Sequence, residues 1–583
     1  MNMAGARQLE HFPNLVSMFF VRAAEKGEAP FLWAKREGAW HSTSWGEAAR
    51  TVAALAEGIR RLGLKPGERI MLVSENRPEW LMSDLAIMAA GCITVPTYST
   101  NTVRDHQHIL GNSGARAVIV SNQKLAKTLV PAVLSSSDCR HIIAVEPIAV
   151  QQSTDVASFH RWSDLAEGPA DVPAAMTSAA TIGRGDLACL IYTSGTGGAP
   201  RGVRQHHGAI LHNVEGCTDV IIHDFSWGDE VFLSFLPASH AYEHSGGQYF
   251  PIGLGAQIYF AESLEKLAAN IEEVRPTLMI VVPRLFEMLR TRILKTIEKD
   301  GGLPAYLLGR ALGIESRRAG GAMRLIDRPM DKLLDFTLRK KVQAKFGGRI
   351  KAMISGGAPL NPEVGNFFAA TGLMLLQGYG QTEAGPVISC NRPAAGVAMD
   401  SVGPPLKNTE VRIAGDGEIM VRGEMVMHGY WQNDEESARV LLDGWLATGD
   451  VGHIDDHGRI VITDRKKDLI VNDKGDNVAP QRVEGMLTLQ PEIAQAMVFG
   501  DRRPHLVALI VPEEPGAPDL HARLAKAVDR VNADLSVIEK VRRFIVADAP
   551  FSVENEQLTP SLKIRRHIIA KAYGERLDGL YKR

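Results

Sequence analysis

Short apolar runs alternate with helical patterns through the first 350 residues, and this alternation restricts the fold more than any other feature of the chain. Strand-like runs at Arg69–Val73, Ala117–Val120, Ile142–Val145 and Ala188–Tyr192 stand among helical stretches such as Glu79–Ala90. That rhythm predicts an α/β fold of layered, mostly parallel sheets with helices. Residues 166–185, with Pro169, Pro173 and many small side chains, read as a loose connection before a strand at Asp186–Tyr192. From Gly403 the texture changes. Short strands at Glu410–Ile413 and Glu418–Val421 are broken by Asp416-Gly417, a further hairpin surrounds Asp455–Gly458, and together they predict a small β-rich module. The charge run Asp464-Arg465-Lys466-Lys467-Asp468 then precedes an α+β pattern that lasts to the C-terminus. The expected division is a large N-terminal domain over 1–464, with the β-rich subdomain at 403–464, and a small C-terminal domain over 465–583.

Composition narrows the function classes. A chain of 583 residues has room for large cores in roughly two to four domains. Its 65 Lys and Arg against 67 Asp and Glu give a net charge of −2, which excludes a generally basic nucleic-acid-binding surface, so no nucleic-acid partner is expected. Cys92, Cys139, Cys189, Cys217 and Cys390 are scattered without Cys-x-x-Cys spacing and suggest neither a disulfide framework nor a zinc site. Arg7, Glu10 and His11 fall where a signal peptide would be basic and then apolar. The most apolar stretch, Leu85–Pro96, is shorter than the ~20 residues that span a bilayer. A cytoplasmic protein, at most peripheral on the inner face of the membrane, is expected.

The run Tyr192-Thr193-Ser194-Gly195-Thr196-Gly197-Gly198-Ala199-Pro200-Arg201-Gly202 follows an apolar strand and combines hydroxyls, glycines and one cation. Those residue types suit a polyphosphate, because glycines let backbone N–H groups approach, hydroxyls donate and a cation offsets charge. It is not a Walker-type loop. Taken alone it also has the composition of a flexible glycine-serine turn. Four further motifs follow in order: Gly378-Tyr379-Gly380-Gln381-Thr382-Glu383, Gly444-Trp445-Leu446-Ala447-Thr448-Gly449-Asp450, Asp464-Arg465-Lys466-Lys467-Asp468, and Leu558-Thr559-Pro560-Ser561-Leu562-Lys563-Ile564-Arg565-Arg566.

Five motifs in this order resemble the adenylate-forming superfamily of acyl-CoA synthetases, peptide-synthetase adenylation domains and luciferases, and the resemblance covers nearly the whole chain. Leu236-Pro237-Ala238-Ser239-His240-Ala241-Tyr242-Glu243-His244, and the basic insert before Ser355-Gly356-Gly357-Ala358-Pro359-Leu360, look like the long-chain fatty-acid CoA ligase branch. The resemblance implies an ATP-dependent ligase that converts a fatty acid to acyl-AMP with loss of pyrophosphate, then transfers the acyl group to coenzyme A. An acyl carrier protein as acceptor, or a non-catalytic acyl or nucleotide binder, are the alternatives.

By the same resemblance Thr193, Ser194, Gly195 and Thr196 wrap the β- and γ-phosphates, with Arg201 as the loop's cation. Glu383 holds Mg²⁺, Thr382 donates to the α-phosphate, Tyr379 stacks on adenine near Gly356 and Gly357, and Asp450 accepts both ribose hydroxyls with Arg465 assisting. Lys563, on a mobile C-terminal domain, bridges the attacking carboxylate and the α-phosphate, with Lys467 as pivot and Gly475 lining the pantetheine channel. His240 either packs in its loop or lies near the substrate carboxylate. The phosphate loop departs from the family's usual Ser-Gly-Thr-Thr-Gly-x-Pro-Lys-Gly at Gly197 and Arg201, losing one hydroxyl and keeping the charge. Residues 302–350 carry eleven Lys and Arg against four acids, with Leu325, Met330, Leu333, Leu334, Phe336 and Leu338 interleaved. Such a stretch is either a solvated helical face or a contact with anionic membrane.

Overall fold

The computed structural model describes residues 10–149, 157–193, 200–319, 322–466, 469–474, 476–552, 554–559 and 564–582. Two large sheets form the N-terminal part. The first has seven strands in the spatial order Ser158–Arg161, His141–Ala144, Ala117–Val120, Arg69–Val73, Ile93–Thr97, Leu187–Thr193 and Arg201–His206. All neighbours run parallel except the last pair. The second has eight strands, ordered Val387–Cys390, Leu375–Gly380, Ala352–Ser355, Leu278–Val281, Val231–Ser234, Gln257–Phe260, Pro30–Arg36 and Ala39–Ser44, parallel inside and antiparallel at both ends. The α/β layering expected from the strand and helix rhythm is therefore present, with strand bounds within a residue or two of those read from the apolar runs.

Helices at Leu15–Lys26, Trp45–Arg61 and Pro78–Ala89 fill the layer between the sheets. Their buried side chains Phe19, Phe20, Trp45 and Trp80 join Ile70 and Ile119 of the first sheet and Phe31 and Ile258 of the second in one core. Phe31 and Trp45 stack at 3.6 Å between ring centroids. The helix at 45–61 starts cleanly because Ser44 and Glu47 cap each other's backbone N–H groups.

One stretch departs from its sequence reading. Residues 166–185 are not wholly irregular: Val172–Ala179 is a helix. Asp171 caps it by accepting from Ala174 N at 2.9 Å, Pro173 sits where its missing N–H costs nothing, and Ala175 and Ala179 bury one face. Asn14 Nδ2 donates to Ala179 O at 2.9 Å and ties the helix end to the core. Small residues and prolines mimicked a linker because the helix is short and packs through alanines.

After residue 403 the chain forms a five-stranded sheet in which Trp445–Ile454 pairs with Glu418–Arg422, Leu441–Leu442 and Ile460–Arg465, and Glu410–Ile413 completes the edge. An α+β unit follows, with strands Ile493–Phe499, Leu506–Pro512 and Val541–Val546 and helices Pro480–Thr488, Leu520–Asp534 and Arg566–Gly579. Among the described residues no helix is long and apolar enough to cross a membrane.

Candidate functional site

Thr193, Gly356-Gly357 and Gly378-Tyr379 lie at the carboxyl ends of strands with parallel neighbours, where open α/β sheets leave crevices for ligands. The strand Leu375–Gly380 lies between Ala352–Ser355 and Val387–Cys390, in register Ser355 with Gln377, so Gly356-Gly357 emerges beside Gly378-Tyr379. Gly356 is required there: a Cβ would come within 2.7 Å of the Tyr242 ring. Tyr242 in turn donates its hydroxyl to Ile354 O at 2.8 Å. Gly357 takes φ +81°, a left-handed conformation open to glycine.

Tyr379 is buried and donates its hydroxyl to Asp450 Oδ2 at 2.8 Å. Asp450, 3% exposed, sits in the long strand 445–454, and its other oxygen accepts from Arg465 Nε at 2.9 Å. The pairing of strands 445–454 and 460–465 places Asp450 opposite Arg465. Gly449 (φ +74°) and Thr448, whose hydroxyl donates to Ile419 O at 2.7 Å and accepts from Asp450 N at 3.1 Å, set the turn of the chain there. Burial, and then the Asp450 carboxylate, hold the Tyr379 phenol well above its usual pKa, so it stays a donor.

A second chain of contacts starts at Arg201, paired with Thr193 across the strand pair. Its guanidinium lies 4.5 Å from the Tyr430 ring centroid and makes an ion pair with Glu436. Tyr430 donates to Glu383 Oε1 at 2.9 Å. Burial, followed by the Glu383 carboxylate, keeps this phenol protonated too. The turn Thr382–Ala384 is gripped from two sides: Gln205 Nε2 donates to Thr382 O at 2.6 Å, and Met427 N to Glu383 O at 3.0 Å. Arg201, which sequence reading placed as the cation of the phosphate loop, is thus already engaged by an acid and an aromatic face.

His240 precedes the short helix Ala241–Glu243, its Nδ1 accepting from Tyr242 N at 3.2 Å, with the Tyr98 ring 6.5 Å away. Tyr379, Asp450 and Arg465 therefore form one cluster, and Arg201, Tyr430 and Glu383 another, joined through the 378–383 segment. His240 accepts from the Tyr242 backbone N–H, and Gly356 lies against the Tyr242 ring. Ser194, Gly195, Thr196, Lys467, Gly475 and Lys563 lie outside the described residues. Tyr430 and Gln205 were not singled out from sequence; each supports a motif residue, Glu383 or Thr382, from a distant part of the chain, which no local spacing reveals.

A single carboxylate oriented by a neutral hydroxyl, as at Glu383, is a hard-oxygen donor of the kind Mg²⁺ takes when phosphate oxygens and water complete its shell. A carboxylate as buried as Asp450, flanked by two donors, suits a pair of vicinal hydroxyls.

The family model described as AMP-binding enzyme matches residues 19–431, and that described as AMP-binding enzyme C-terminal domain matches 467–583. The chain is 29% identical to the Mycobacterium tuberculosis long-chain-fatty-acid--CoA ligase FadD15, over 98% of this chain and 97% of that one. It is also 29% identical to the Arabidopsis thaliana chloroplastic long-chain-fatty-acid--[acyl-carrier-protein] ligase AEE15, over 90% of this chain and 81% of that one. Among solved structures, the A domain of the Segniliparus rugosus carboxylic acid reductase, in complex with AMP and a co-purified carboxylic acid, superposes with a TM-score of 0.76 at 20% identity, covering 98% of this chain and 94% of that one. At that identity the likeness establishes the fold.

Proposed function

Because the chain belongs to the AMP-binding enzyme family, we propose that it is an ATP-dependent fatty acid:CoA ligase of the AMP-forming kind. A carboxylate oxygen of the acid attacks the α-phosphorus of ATP, the bond to the β-phosphate oxygen breaks, and pyrophosphate leaves. The coenzyme A thiol, losing its proton, then attacks the acyl carbon, and AMP leaves with the electron pair of the broken C–O bond. Similarity to FadD15, a long-chain-fatty-acid--CoA ligase, along 98% of this chain supports fatty acids as the acid class and CoA as the acceptor.

The buried Asp450, held between the Tyr379 hydroxyl and Arg465, is the observation that most supports a nucleotide site. In this reading Asp450 accepts the ribose hydroxyls, Tyr379 and Gly356-Gly357 border the base, and Thr193, Ser194, Gly195 and Thr196 take the outer phosphates. Thr382 donates to the α-phosphate. Glu383 is the carboxylate for Mg²⁺, which when bound offsets phosphate charge. Arg201 acts through Tyr430, fixing the Glu383 carboxylate. His240 lies near the acid's carboxylate. The chain divides at 464, the C-terminal domain brings Lys563 to the reacting centre, Lys467 is its pivot, and Gly475 leaves room for the pantetheine arm. Incubating isolated acyl-adenylate with the enzyme and either CoA or acyl carrier protein tests the acceptor. Rapid CoA thioester formation is expected, and transfer to the carrier protein alone would replace this reading with a carrier-protein ligase.

A contact with anionic lipid belongs to the same proposal, on one observation. Leu325, Ile326 and Phe336 are 75%, 80% and 78% exposed on the turn and helices of 325–339. Arg324, Arg328, Lys332 and Lys340 are exposed around them, with no ion pair among the described residues. Arg317, Arg318 and Arg339 are instead tied to Asp327, to Glu315 and Asp331, and to Asp331 and Asp335. Binding to phosphatidylglycerol-containing vesicles is expected to fall with salt and by about 1 kcal/mol for each of the four free cations removed. Binding indifferent to both returns the stretch to an ordinary solvated face.

A further inference from the structure

One fully buried carboxyl lies beside the candidate acyl site without an ion pair among the described residues. Glu243, 1% exposed, follows His240 by three residues. Its Oε1 accepts from Ser234 Oγ at 2.6 Å and lies 3.5 Å from Gln248 Nε2. Ser234 Oγ also accepts from Gln248 Nε2 and Asn76 Nδ2, each at 3.0 Å, so the hydroxyl is saturated. Asn76, reaching over from the end of the first sheet, also donates to Leu236 O at 2.5 Å and accepts from Ala238 N at 2.9 Å. The two ends of the Asn76 amide therefore clamp the loop that leads into His240. Gly247 makes the arrangement possible, since a Cβ there would lie 2.2 Å from Glu243 Oε1.

We propose that Glu243 is a positioning residue for adenylation: its neutral carboxyl, acting through Ser234 and Asn76, fixes the Leu236–His240 loop that receives the fatty acid, and loss of its proton loosens that loop. Burial pushes the Glu243 carboxyl up to about 8, so it is neutral at pH 7 and ionises just above. The facing groups do not supply a counter-charge. On its own segment stand His240 and Tyr242. Asp84, from helix 78–89, is taken up by His244 Nε2 at 2.8 Å and the Tyr249 hydroxyl at 2.6 Å. Arg77, beside Asn76, is held by Glu75, Glu79 and Glu146. Strand 231–234 contributes Ser234, and strand 278–281 is apolar. Among the described residues no cation pairs with Glu243, and the favoured response to its ionisation is displacement of its helix turn and of Ser234 with it.

This inference rests on the reading of the 236–240 loop as acid-binding, and the test separates the two. Fatty-acid-dependent pyrophosphate release is measured from pH 6.5 to 9.5 in the full chain, with KM for the acid and kcat resolved, for the unsubstituted protein, Glu243→Gln, Ser234→Ala and His240→Ala. The unsubstituted protein is expected to show KM for the acid rising above about pH 8 while KM for ATP stays level. Glu243→Gln keeps a neutral acceptor for Ser234, so it should retain neutral-pH activity and lose the alkaline rise. Ser234→Ala should raise KM for the acid about tenfold at pH 7, as loss of one buried hydrogen bond does. An alkaline rise unchanged in Glu243→Gln, or a normal KM in Ser234→Ala, overturns the role of Glu243. If Glu243→Gln does not fold, Ser234→Ala and the unsubstituted profile decide alone. A His240→Ala variant with unaltered KM for the acid overturns the loop assignment beneath it instead.

Discussion

Replacing Asp450 by Asn keeps the size of a 3% exposed side chain and removes its charge and one of its two acceptor oxygens. In the structure the carboxylate receives one hydrogen bond from the Tyr379 hydroxyl at 2.8 Å and one from Arg465 Nε at 2.9 Å. An amide has one acceptor oxygen, which the Arg465 donor would take, while the Tyr379 hydroxyl can rotate to accept from the amide nitrogen. The pocket should therefore survive, but the hydrogen bonds to an ionised acceptor become neutral ones. Such bonds are worth about 1.5–3 kcal/mol when charged and about half that when neutral. With two ribose hydroxyls as the intended partners, the loss is about 1.5–3 kcal/mol, or about 10- to 150-fold in kcat/KM for ATP. The assay is fatty-acid-dependent pyrophosphate release at varied ATP, with KM for the acid measured in parallel as a control. Tyr379→Phe, which removes one donor and leaves the charge, should cost less, about 1 kcal/mol. If Asp450→Asn lost less than about threefold, or lost it in KM for the acid rather than for ATP, Asp450 would not be the ribose acceptor.

Other outcomes follow from single contacts. Arg201→Lys keeps the charge but not the planar stack on Tyr430 or the fork toward Glu436, and should raise KM for MgATP about three- to tenfold in steady-state kinetics. Gly356→Ala forces a Cβ against the Tyr242 ring and should lower stability by about 1–3 kcal/mol in urea unfolding. The Glu243 carboxyl, raised in the folded state above its value of 4.5 in an unfolded chain, gives stability that is complete below pH 4.5 and is lost as pH rises through about 8. Glu243→Gln should therefore gain on the unsubstituted protein in thermal unfolding as pH goes from 5 to 9.

The sheets were legible because Arg69–Val73, Ala117–Val120 and Glu410–Ile413 are apolar or alternating runs bounded by turn residues, which is a local property. The helix at 172–179 was not, because its driving force is Ala175 and Ala179 meeting helices far away in sequence. Within the site, motif residues such as Asp450 and Glu383 stand out by their glycine-rich settings. What holds them does not: Tyr430 reaches Glu383 across 47 residues and Asn76 reaches Leu236 across 160. Nor does the sequence tell a spent cation from a free one. Arg317 and Arg339 looked like part of one basic face with Lys332 and Lys340, yet the structure pairs the first two with acids and leaves the others to solvent.

Single-turnover kinetics of the two half-reactions in Lys563→Ala tests the account most directly. Acyl-AMP formation from fatty acid and ATP should fall by several orders of magnitude, because a positioned charge in a water-poor site supplies several kcal/mol of transition-state stabilisation. Thioester formation from separately supplied acyl-AMP and CoA should persist near its unsubstituted rate, while Gly475→Leu should show the reverse pattern. Equal loss of both steps in Lys563→Ala would contradict a chain whose C-terminal domain serves the two reactions in turn.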